Sequence, residues 1–137
     1  MNNFLNTFAA ILIGLYLISY LYKNYYMKKV VSKIDNRTYY VRILPDSDKA
    51  ADLLANINKK ILKLIDSLDK DNDKCLRLIE GYVPENLRET YFNDSHKAYS
   101  INKGYELALC LRNEYDNKFI DINTIIFVAI HELSHIM

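Results

Sequence analysis

The sequence has no tryptophan and two cysteines, Cys75 and Cys110, in 137 residues. Their separation matches neither a thiolate metal cluster nor a disulfide framework, so both are expected as reduced thiols, with Cys110 in a strand. Charge of neither sign is in excess: 18 Lys and Arg stand against 17 Asp and Glu. Such a balance carries no global attraction to polyphosphate, and no specific nucleic-acid binding is expected. Histidine is scarce as well, at three residues.

Charged side chains are missing altogether from residues 2–22. Within that stretch, positions 4–22 are apolar apart from Asn6, Thr7, Gly14 and Ser19. As a helix they span about 28 Å, close to the roughly 30 Å hydrocarbon core of a bilayer. Tyr16, Tyr20, Tyr22, Tyr25 and Tyr26 gather at the C-terminal end, where an aromatic belt sits, and Lys23, Lys28, Lys29, Lys33 and Arg37 come next. The excess of cations on that side predicts that the remainder of the chain lies on the cytosolic side. A basic leader and a small-residue cleavage site are both absent, which separates this anchor from a cleaved signal peptide. Residues 1–22 are therefore expected to be a single-pass transmembrane anchor, 23–36 a basic juxtamembrane linker, and 37–137 the folded domain.

Along that domain, residues 38–44 alternate, with Tyr39, Val41 and Ile43 on one face, and predict a strand ended by Pro45. Asp46 or Ser47 can cap the next element. Ala50, Leu54, Ile57, Ile61, Leu64, Ile65 and Leu68 recur at helical spacing, predicting an amphipathic helix of about six turns. Asp69-Lys70-Asp71-Asn72-Asp73-Lys74, with Glu80 in the twelfth place, approaches a calcium-loop template. Lys74 occupies the position where that loop needs glycine, and Gly81 and Pro84 leave no room for an exiting helix, so a solvated acidic turn is expected. Residues 82–95 read as loop. Residues 98–101 and 105–112 flank Asn102-Lys103-Gly104 and predict a hairpin. A second turn at Asp116-Asn117-Lys118 leads to a final helix capped by Asp121 or Asn123 and running to the end of the chain.

That helix carries His131-Glu132-Leu133-Ser134-His135. The spacing H-E-x-x-H places two imidazoles one turn apart, about 40° around the axis, so that both reach one ion. Thr124 and Val128 share the histidine face, while Ile122, Ile125, Ile126, Ala129, Ile130, Leu133, Ile136 and Met137 are expected on the opposite, core-facing side. The metal implied is zinc, held by His131 and His135. Glu132 is the candidate catalytic residue, the general base that takes a proton from a zinc-activated water and returns it to the leaving amine. The strand at 105–112 is expected to offer an edge to an extended peptide.

The segment AYSINKGYELALCLRN…IDINTIIFVAIHELSHIM resembles the zincin metallopeptidases, particularly the small WLM-type and related virus-encoded HExxH proteins. The resemblance covers about residues 97–137 and rests on the strand–turn–strand–helix order and the apolar run into His-Glu-Leu-Ser-His. It implies an α+β fold: the N-terminal half of a zincin-like domain, a small sheet packed against the amphipathic helix and the HExxH helix. It also implies a zinc peptidase acting on a protein or peptide substrate, with a third zinc ligand shortly after the second histidine or on a later helix. The sequence stops two residues after His135. The third ligand is thus expected from a completing segment of a longer chain or from a partner in trans, and His96, the remaining histidine, reads as a solvated loop residue. The competing expectation is a catalytically silent, membrane-tethered scaffold that retains a degenerate zincin half.

Overall fold

The computed structural model describes residues 2–91, 98–101 and 106–137. His96 and the expected turn at Asn102-Lys103-Gly104 lie outside the described residues. The described residues form an α+β structure of four α-helices and a small mixed sheet.

Helix α1 (Asn2–Tyr26) contains a stretch, Asn2–Leu21, of mean hydropathy 1.9 in which no residue is buried. Phe4, Ile11, Leu15 and Ile18 all stand open. This one helix is long and apolar enough to cross a membrane.

The expected linker at 23–36 is not a linker. α1 continues to Tyr26 and passes directly into strand β1 (Met27–Val31). β1 pairs antiparallel with β2 (Thr38–Arg42), Met27 opposite Arg42 and Val31 opposite Thr38. Lys28 and Lys29 point to solvent from an edge strand while Met27 is buried, and this lysine-rich outer face is what disguises the strand. Asn36 closes the β1–β2 turn with φ of 58°. That is a left-handed conformation, which asparagine tolerates. The Ile43 amide donates to the Tyr26 carbonyl at 3.0 Å, stitching the end of α1 to the chain just past β2.

Helix α2 (Ser47–Asp66) begins just after Pro45 and buries Ala50, Leu54, Ile57, Ile61 and Ile65 along one stripe, as its periodicity requires. The acidic stretch after it holds a helix where the composition suggests only a turn. Asn72 Oδ1 accepts from the amides of Lys74 at 2.9 Å and Cys75 at 3.3 Å. These bonds cap α3 (Asp73–Gly81). The helix begins at the fifth position of the stretch that mimics a calcium loop, so that stretch cannot wrap an ion as such a loop does.

Residues 82–95 contain a strand that their sequence conceals. After a 3₁₀ turn (Pro84–Asn86), β3 (Leu87–Glu89) runs through the middle of the sheet. All its residues are buried, Arg88 and Glu89 included, so no apolar/polar alternation marks it. Strands β4 (Tyr99–Ile101) and β5 (Glu106–Leu109) form the expected antiparallel pair. The sheet order is β1-β2-β3-β5-β4, with β2/β3 and β3/β5 parallel and the outer pairs antiparallel. β5 is therefore interior, and the edge expected of it belongs to β4.

Tyr39, Val41, Leu87, Leu107 and Leu109 form one apolar cluster with the α2 stripe and with Ile125, Ala129 and Leu133 of helix α4 (Ile122–Ser134). Asp121 caps α4 as expected, accepting from Asn123 N at 3.1 Å and Thr124 N at 3.2 Å. The bonds satisfy two amides that the first helical turn would leave open. The helix stops at Ser134, and the last residues continue in a tighter turn through His135 N to Glu132 O and Ile136 N to Leu133 O.

Candidate metal centre

Three faces of α4 do different things. Ile125, Ala129, Leu133 and Ile136 are buried and lock the helix onto the sheet and α2. His131 and His135 are exposed, and Glu132 is half-buried between them and the core. The third face carries Phe127 and Ile130, 74% and 45% exposed. Ile130 thus departs from the core stripe expected of it and stands open beside Phe127.

The histidine pair is brought together as its spacing demands. The rings lie edge to face, with centroids 5.2 Å apart. One ligand atom from each of His131, Glu132 and His135 falls within 4.8 Å of the others, and among the described residues no other group of three such side chains gathers this closely. Two nitrogens bound to one zinc at about 2.0–2.1 Å stand about 3.4 Å apart, so the donor set fits a single ion with small side-chain adjustment. The pair also occupies the C-terminal turn of α4, where the partial negative charge of the unpaired carbonyls favours a cation.

Glu132 faces a cavity of about 360 Å³ whose walls include Ala98, Cys110, Ile120, Thr124 and Val128. Thr124 and Val128, expected beside the histidines, contribute to this wall. Ala98, Cys110 and Ile120 come from the β4–β5 side and carry no functional signal in the sequence. Cys110 is half-buried just after β5, and its thiol donates to the Arg112 carbonyl at 3.3 Å. His135 borders a different, more polar groove with Arg77, Glu80 and Met137, where Arg77 Nη1 donates to Met137 O at 3.2 Å. α3 thereby meets the end of α4.

Behind the site lies a buried ionic network that the sequence does not announce. Glu89 is fully buried and accepts from Arg112 Nε at 2.7 Å and from the Arg42 amide at 3.3 Å. Arg112 Nη1 donates to Asp46 at 2.6 Å, and its guanidinium stacks 4.7 Å over Phe119. Arg88 pairs with Glu106 and lies 3.9 Å over the Tyr91 ring. These contacts join β2, β3, β5 and the start of α2, the frame on which the cavity is built.

No family model matches the chain. No solved structure matches it either. The chain is similar to "Uncharacterized protein R325" of Acanthamoeba polyphaga mimivirus, at 30% identity over 115 residues that cover 78% of this chain. It spans 58% of the length of that viral relative.

Proposed function

We propose that the chain is the anchored, metal-binding half of a zinc-dependent metallopeptidase. The observation that carries this reading is the convergence of His131, Glu132 and His135 on one point, with Glu132 also facing an apolar cavity. His131 and His135 hold the zinc. When bound, zinc supplies a water acidified to a pKa of about 7 and a Lewis acid for the scissile carbonyl. Glu132 takes the proton of the attacking water and delivers it to the departing amine. The cavity accepts an apolar side chain of the peptide, and the free edge of β4 pairs with its backbone. α1 crosses the membrane, and the lysines beyond its apolar stretch keep the domain on the cytosolic side.

The test is zinc content together with hydrolysis of a peptide library by the full chain. Glu132→Gln is expected to keep zinc and lose hydrolysis, because an amide cannot accept the proton. A Gln variant that remains active removes Glu132 as the base. A wild-type chain that holds zinc yet cleaves nothing, even with the third ligand supplied, favours the tethered scaffold.

A further inference from the structure

Helices α2 and α4 each pack one stripe into the core, yet their outer faces differ. Every exposed residue of α2 is charged: Asp48, Lys49, Lys59, Lys60, Lys63 and Asp66. On α4 the exposed residues are Asn123, Thr124, Phe127, Ile130, His131 and Ser134, with no carboxylate, lysine or arginine among them. Phe127 is 74% exposed. It stands one turn before His131, and Ile130 one turn before Ser134, so the apolar pair and the imidazole share one strip. His135 continues the strip by a turn and is also open. Such a face is covered at little cost, because no full charge has to be stripped of water.

The histidines point to what covers it. Zinc takes four ligands, and a closed site draws all four from protein. One chain presents two imidazoles outward, while Glu132 is half-buried and lines the neighbouring cavity. A second copy presents the same two, and four imidazoles complete the set. The face also suits its own copy: a two-fold interface sets the same patch against itself, and here that brings no like charges together. Area sets the condition. A helix of 13 residues is about 20 Å long and about 10 Å wide, and two such faces cover well under the roughly 1,200 Å² of a stable interface. The apolar strip by itself therefore leaves the copies apart, and the metal joins them.

We infer that two copies of the chain meet through this face of α4 around one shared zinc, held by His131 and His135 of each. The inference rests on the proposed zinc site and adds its regulation. With four protein ligands no position is left for water, so the bridged pair is the closed, inactive form.

The experiment takes the full chain, metal-free, in maltoside micelles and adds half an equivalent of zinc chloride. Light scattering corrected for detergent reads the protein mass, and elemental analysis reads the bound zinc. The mass is expected to double, from one chain to two, with one zinc per two chains, and to return to one chain on adding EDTA. His131→Ala and His135→Ala should stay single at the same zinc. Phe127→Lys changes an exposed side chain that offers no ligand; it should keep its helical circular dichroism and its zinc yet stay single. One zinc on a single wild-type chain overturns the bridge and leaves the metal centre standing. No bound zinc overturns the metal centre, and the bridge with it. Two chains without zinc, or a doubled mass that survives EDTA, places the contact elsewhere and overturns the bridge. Pairing of Phe127→Lys at the wild-type zinc concentration overturns the face.

Discussion

Arg112 donates from Nε to Glu89 Oε1 at 2.7 Å, and both side chains are closed to solvent. The pair fastens the central strand β3 to the segment that leads from β5 into α4, so the frame of the candidate metal centre depends on a charge pair at its back. Removing one partner leaves the other buried and unpaired. Glu89→Ala is expected to cost about 3–5 kcal/mol, and Glu89→Gln less, since the amide still accepts one bond. Denaturant unfolding of the folded domain measures both, and an unchanged midpoint in the Ala variant would show that the pair contributes nothing.

Leu133 lies inside the H-E-x-x-H motif but belongs to the core, at 1% exposure. Leu133→Ala is expected to destabilise the chain by about 2–5 kcal/mol through the cavity it leaves. Phe127, nearly two turns earlier on the open side, should tolerate alanine within about 0.5 kcal/mol. Thermal melts of the two variants compare them directly, and equal losses would contradict the orientation of α4.

Zinc retention tests the metal centre without reference to activity. After dialysis against a weak chelator, His131→Ala and His135→Ala are each expected to retain far less zinc than the wild type. Ser134→Ala should behave as wild type, because the Ser134 hydroxyl donates to the His131 carbonyl at 2.5 Å and offers no ligand to the site. Elemental analysis of the dialysed samples decides it.

Val128 walls the cavity that Glu132 faces. Val128→Phe fills that space with a larger side chain while leaving both imidazoles in place. Zinc content is expected to stay level and KM for apolar peptides to rise. A variant unchanged in KM would assign the cavity no part in substrate binding.

Two buried phenols set an alkaline limit. Burial is the main cause that pushes the Tyr39 hydroxyl far above its ordinary range, reinforced by its hydrogen bond to Asp35 at 2.5 Å. Burial likewise pushes Tyr82 up, and its hydroxyl donates to Asn58 at 2.6 Å. The folded chain keeps both groups protonated where the unfolded chain ionises them, near pH 10. Their contribution is therefore complete below about pH 10 and falls as pH rises beyond it. Unfolding midpoints measured across the alkaline range should drop above that pH, and less steeply in Tyr39→Phe and Tyr82→Phe.

The histidine pair is legible without coordinates because its geometry is local. A helix returns to the same face every turn, so His131 and His135 converge wherever α4 forms, and Asp121 and the apolar stripe mark where it forms. The long apolar run of α1 and the stripe of α2 are readable for the same reason, since the signal lies within one element. The strands are harder. β2, β4 and β5 show apolar positions between turn residues, whereas β1 is written with lysines and β3 with Arg88 and Glu89.

Those two strands depend on partners distant in the chain. Arg88 and Glu89 are admissible in a buried strand because Glu106, Arg112 and Arg42 meet them there, and no local pattern encodes that meeting. The cavity beside Glu132 is likewise assembled from α4 and from residues that flank β4 and β5. Local pattern thus settled α1, α2 and α4, though not α3, and which of their side chains share a face. Long-range pairing of charge and packing of strand on helix decided what each face looks onto, because those contacts arise only when separate elements fold together.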